Sequence, residues 1–87
     1  SQTILAQNYP NPFNPTTNIQ FQLAETEDVR LSVYDMTGRS VATLVNETRS
    51  AGEHSVQFDA SSLSSGVYIY TLQTSSTTLT QKMVLIK

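Results

Sequence analysis

Gly66-Val67-Tyr68-Ile69-Tyr70-Thr71-Leu72-Gln73-Thr74 runs without a charge, and constrains the rest of the chain. β-branched and aromatic residues dominate it, and these favour a pleated surface. Gly66 punctuates its start. Period two sets Val67, Ile69 and Thr71 on one face and Tyr68, Tyr70 and Leu72 on the other. Both faces carry bulk. The stretch therefore reads as an interior strand, with Tyr68, Tyr70 and Leu72 toward the core. The remaining segments read as strands added around it.

Taken in order, Ile4 and Leu5 suit a brief edge strand. Next comes Asn8-Tyr9-Pro10-Asn11-Pro12-Phe13-Asn14-Pro15-Thr16-Thr17, whose prolines each fix φ and remove an amide donor. Such a segment is neither helix nor central strand. It reads as a stiff arm over residues 8–17, laid on the body by Tyr9 and Phe13. Asn18 to Leu23 alternates, with Ile19, Phe21 and Leu23 on one face. Ala24 to Asp28 reads as an acidic turn. Val29 to Tyr34 alternates again, with Val29, Leu31 and Val33 inward and Arg30, Ser32 and Tyr34 outward. Asp35-Met36-Thr37-Gly38 has the residues of a β-turn and joins this strand to Arg39–Leu44 in a hairpin.

Asn46 to Gly52 reads as a polar loop. Glu53 to Phe58 alternates, with His54, Val56 and Phe58 together. Asp59 to Ser65 is Ser-rich and pinned by Leu63. Leu79 to Ile86 closes the chain, Met83 and Leu85 sharing one face and Val84 and Ile86 the other. The count is about seven short strands with turn signals roughly every 10 residues, and no helical period. The pattern is that of an antiparallel β-sandwich in one domain spanning residues 1–87.

Composition removes several function classes. Only 14% of the 87 residues are charged, and the net charge is −2. The basic residues are scattered, so no patch is set to neutralise a phosphate backbone and no nucleic-acid partner is expected. No cysteine is present, which removes disulfides and thiolate chemistry. No apolar run is long enough to insert in a membrane as a helix.

Catalytic signals are equally sparse. His54 is the one histidine, too few for a zinc site without cysteine. Serines and aspartates are present in number, but a triad is defined by geometry and not by composition. No enzyme activity and no cofactor are expected. Asp28, Asp35, Asp59, Glu25 and Glu27 are the available calcium ligands, without EF-hand spacing. Asp35 suits a turn cap, and Glu25, Glu27 and Asp28 a solvated loop. Exposed tyrosines would suit a sugar-binding module, with Tyr34 and one of Tyr68 and Tyr70 as candidates. Lys82-Met83-Val84-Leu85-Ile86-Lys87 is an apolar strand with a lysine at each end. It reads either as an edge strand guarded by charges or as a strand recognised by a partner, through its free edge.

These segments together resemble a known family, the type A carboxy-terminal sorting domain of the type IX secretion system of Bacteroidetes and related bacteria. The resemblance rests on Leu5 to Thr17, with Asn11, Pro12, Phe13, Asn14 and Pro15 at its centre, and on the following Ile19 and Phe21. It continues through Val33 to Arg39 with Gly38, Ala51 to His54 with Gly52, and Phe58-Asp59. It ends with Leu63 to Tyr70, containing Gly66, Val67 and Tyr68, and with Lys82 to Lys87. More distantly, the chain resembles the immunoglobulin-like domain of flagellar hook-cap proteins.

The resemblance implies an immunoglobulin-like sandwich and a job as a non-catalytic secretion signal. It implies an amino-terminal cargo, a secreted hydrolase or adhesin, carried through the periplasm and across the outer membrane by the type IX translocon. It implies cleavage by a sortase-like peptidase, then release or surface attachment. Lys82 to Lys87 become the expected recognition element. Gly66, Val67 and Tyr68, the arm residues Asn11 to Pro15, and the turn residues Gly38 and Gly52 become structural motifs. On this reading the chain is an isolated terminal module. A permanent carbohydrate-binding or adhesion module and a purely structural immunoglobulin-like domain stay open as alternatives.

Overall fold

The computed structural model describes residues 2–87. Seven strands follow in order: β1 (Ile4–Leu5), β2 (Thr16–Leu23), β3 (Glu27–Tyr34), β4 (Ser40–Arg49), β5 (Gly52–Asp59), β6 (Gly66–Thr74) and β7 (Thr78–Leu85). They form a three-stranded sheet, β1-β2-β5, and a four-stranded sheet, β4-β3-β6-β7. All these pairings are antiparallel. The two sheets pack as an immunoglobulin-like β-sandwich.

Alternation explains most of the layering. Ile19, Phe21 and Leu23 of β2 and Phe58 of β5 are buried on one side of the core. Val29, Leu31 and Val33 of β3, Tyr68, Tyr70 and Leu72 of β6, and Met83 and Leu85 of β7 meet them from the other. Burying an aliphatic or aromatic side chain of this kind stabilises by about 1.5–3 kcal/mol. β6 lies between β3 and β7, so it is an interior strand.

The β3–β4 turn is built as the sequence suggests. Gly38 N–H donates to Asp35 O at 3.0 Å. Gly38 has φ of 89°, which a side chain disfavours. The β4–β5 connection is Ser50–Ala51 alone, and it carries the chain from one sheet to the other. Gly52, at φ of 116°, permits that abrupt change of direction.

Four local expectations are corrected. Asn46 to Arg49 is not loop but the end of β4, paired with Glu27 to Arg30. As an edge strand it needs no apolar alternation to pair. Glu27 is not a solvated turn residue. It is buried and accepts from Ser75 Oγ at 2.7 Å. Ser32 sits on the outward side of β3 yet is buried, between its cross-strand partners Thr43 and Thr71. Tyr9 does not anchor the arm: it is 80% exposed, and the buried residue beside it is Asn8.

Candidate recognition site

The arm and the last strand form one unit, starting from Asn8. Its backbone N–H donates to Tyr70 Oη at 2.7 Å, and Tyr70 Oη donates to Ala6 O at 2.7 Å. Asn8 Nδ2 donates to Thr17 Oγ1 at 3.0 Å and to Pro10 O at 3.1 Å. Thr17 Oγ1 donates to the same Pro10 carbonyl at 2.9 Å. Proline brings no donor, but its carbonyl still needs a partner when partly buried. Pro15 O is satisfied in the same way, by Ala60 N at 2.9 Å. Phe13 then enters the core and meets Phe58 with ring centroids 6.3 Å apart.

This arm lies along the outer edge of β7. Asn11 Oδ1 accepts from Val84 N at 2.9 Å. Phe13 N donates to Val84 O at 3.0 Å, and Phe13 O accepts from Ile86 N at 3.0 Å. Gln7 Nε2 donates to Lys82 O at 2.7 Å. At the chain end, Lys87 N donates to Ser65 Oγ at 2.9 Å and Lys87 Nζ to Ser61 O at 2.6 Å. The backbone edge from Lys82 to Ile86 is therefore occupied by the chain itself. A partner strand has no free ladder to join there.

Side chains of the same segment divide by parity. Met83 and Leu85 are in the core. Lys82 and Ile86 are exposed, and Val84 is half-buried. In register, Lys82 lies opposite Ile69, and Ile69 opposite Tyr34. Val67 lies opposite Val84. The solvent side of the four-stranded sheet thus carries Tyr34, Val67, Ile69, Val84 and Ile86 close together, with Lys82 among them. Farther along the same face, Ser32, Thr71 and Thr80 make it polar.

The fold brings Asn11 to Pro15, Gly66 to Tyr68 and Lys82 to Lys87 together. Gly66 pairs with Leu85, and Tyr68 with Met83. Tyr68 Oη donates to Ser64 O at 2.7 Å, tying the 59–65 loop to β6. Gly38 lies toward the same end of the sheet, beyond Tyr34. Gly52 lies at the opposite end and does not join the group. Sequence reasoning missed Gln7, Asn8 and Thr17, because a polar side chain used inside a loop leaves no periodic signal. It also missed Tyr34, Val67 and Ile69 as one surface, since only the register reveals it.

Among the described residues, two groups are electrostatically displaced. Burial pushes the Tyr70 hydroxyl up to about 12, against the opposing effect of the Asn8 N–H. The Thr37 hydroxyl, aided by the N–H groups of Arg39 and Thr37, holds the Asp35 carboxyl below its usual range. His54 stacks on Phe21 at 5.2 Å, and its Nε2 lies 2.8 Å from Ser50 O. Among the described residues, no three His, Cys, Asp or Glu side chains converge as a metal site would need.

The family described as the secretion system C-terminal sorting domain matches residues 7–87. The chain belongs to that family. No curated protein matches it. The sorting domain is a non-catalytic secretion signal of the type IX system, and it carries an attached cargo protein to the outer-membrane translocon. Its route is transit through the periplasm followed by secretion or surface display. The match begins after β1 and takes in the whole arm and all of β2 to β7.

Proposed function

We propose that the translocon reads this sorting domain through side chains of Lys82–Lys87 and the apolar surface beside them. The observation that carries this reading is the arm on β7. With Asn11, Phe13 and Gln7 holding the backbone, the segment offers side chains and not a free strand edge. Lys82, Val84 and Ile86 then act with Tyr34, Val67 and Ile69. An apolar cluster with one cation at its border has the make-up of a protein-docking patch. Asn11, Pro12, Phe13, Asn14 and Pro15 serve as the clamp. Gly66, Val67 and Tyr68 supply the neighbouring strand that holds β7 from its inner side, and Gly38 and Gly52 shape turns. Residues 1–87 act as one unit, with 8–17 as its arm. The cargo is a secreted hydrolase or adhesin, and a sortase-like peptidase removes the label after export.

Site-directed photocrosslinking tests the patch. A crosslinking residue replaces Ile86 in one variant and Gln57, on the opposite sheet, in another. The reading expects capture of a translocon component from position 86 and little from position 57. Capture from 57 alone, or equal capture from both, contradicts it.

A further inference from the structure

The opposite face of the sandwich has a different chemistry. On the solvent side of the three-stranded sheet, Asn18 lies opposite Gln57, Gln20 opposite Ser55, and Gln22 opposite Glu53. Tyr9 extends the first of these rows. It exchanges both backbone hydrogen bonds with Asn18, at 3.0 and 2.9 Å, so the two side chains are neighbours on the same face. Rows of this kind repeat at about 6.8 Å along a strand and neighbours at about 4.8 Å across it. The result is a field of amides, a hydroxyl and the Glu53 carboxylate, with the Tyr9 ring at one corner and the exposed Ile4, opposite Gln22, at the other.

Two open depressions occupy this field. One, about 270 Å³, is lined by Gln7, Tyr9, Asn18 and Gln20. The other, about 370 Å³, is lined by Gln20, Gln22, Glu53 and Ser55, with Ile4, Ala6, Phe21 and His54 completing its wall. Gln20 borders both, so the two depressions adjoin along one track. Among the described residues, the side-chain amides of Asn18, Gln20 and Gln57 bond to no other protein group, leaving donors and acceptors free. Glu53 is the one carboxylate lining the track, and among the described residues it forms no salt bridge.

We infer that this track binds a neutral, extended oligosaccharide, with Tyr9 as the stacking platform. A pyranose ring has apolar C–H faces and a rim of hydroxyls. The faces suit the exposed Tyr9 ring, and the hydroxyls suit amides that both donate and accept. The lack of a cation disfavours phosphorylated or acidic glycans. The lack of apolar bulk around Tyr9 disfavours a protein partner. A flat, ribbon-like β-1,4-linked chain fits a flat sheet better than a coiled one. Tyr9 is 80% exposed and does little for the core, so it is free to serve a ligand.

The test is an amide-resolved NMR titration of the whole chain with cellohexaose and with β-1,4-mannohexaose. The inference expects shifts at Tyr9, Asn18, Gln20 and Gln22 with at least one of the two. Tyr9→Ala is expected to weaken the titration about tenfold with an unchanged Tm. No shift with either sugar up to about 10 mM overturns the inference. So does a response centred on Val84 and Ile86, or one that Tyr9→Ala leaves intact. Equal or tighter binding of a heparin-derived hexasaccharide overturns the assignment to neutral glycans. Export plays no part in these readings, so the track stands or falls apart from the docking patch.

Discussion

Tyr70 does more than fill the core. Its ring is fully buried, while its hydroxyl joins Asn8 N–H to Ala6 O and so fastens the arm to the centre of the sandwich. Tyr70→Phe keeps the ring but leaves a buried donor and a buried acceptor without partners. The expected cost is about 1–3 kcal/mol, measured by denaturant unfolding. The same hydroxyl sets an alkaline limit. Its folded-state pKa, about 12, lies above the unfolded value near 10. That contribution is fully present below pH about 10 and is lost as pH rises toward 12. Tyr70→Phe therefore lacks this part of the alkaline destabilisation. The ring's place was legible from period two alone. The hydroxyl's role was not, because its partners sit 62 and 64 residues away. Tyr9 and Asn8 show the converse. Bulk suggested Tyr9 as the anchor, but a packed, fully bonded amide took the buried position.

Among the elements, the arm and β7 depend on each other. Edge strands invite pairing by other chains, and proteins blunt them by covering or charging them. Here Lys82 and Lys87 are the visible charges, yet the edge between them is sealed by Asn11 and Phe13. Asn11→Ala should therefore free one particular amide. Hydrogen exchange at Val84 N–H is expected to accelerate at least tenfold, while Ile86 N–H, held by Phe13 O, keeps most of its protection. Equal acceleration at both would mean that the arm releases as a whole. The strands that pack a core face were readable from alternation: β6 spans the stretch read for it, and β2 and β3 each begin two residues earlier than read. The sequence pattern ends β4 too early, because Asn46 to Arg49 are polar and lie on an edge, where pairing alone maintains the strand. The sheet order was not readable, since the two-residue link before Gly52 changes sheets without any length signal.

The whole molecule is a small sandwich with two unlike faces. The four-stranded sheet turns an apolar cluster outward at the end where the arm, β6 and β7 meet. The three-stranded sheet turns out amides and one exposed tyrosine. The first arrangement suits a protein receptor, the second a neutral glycan. A label that meets a translocon and then a cell surface has use for both. The central claim is that the sorting domain is recognised as a folded unit through its four-stranded face. The most direct measurement places the chain at the carboxyl end of an exported fluorescent reporter in a bacterium with a working type IX system. A second reporter carries Ile69→Thr, Lys82→Ser, Val84→Thr and Ile86→Ser, which replace outward side chains on β-competent positions and leave Met83 and Leu85 in the core. With both domains shown to be folded by circular dichroism, the unaltered one should carry its reporter to the medium or surface, and the altered one should leave it in the periplasm. Equal export of the two would contradict recognition through this face, and retention of both would contradict the sorting role in that host.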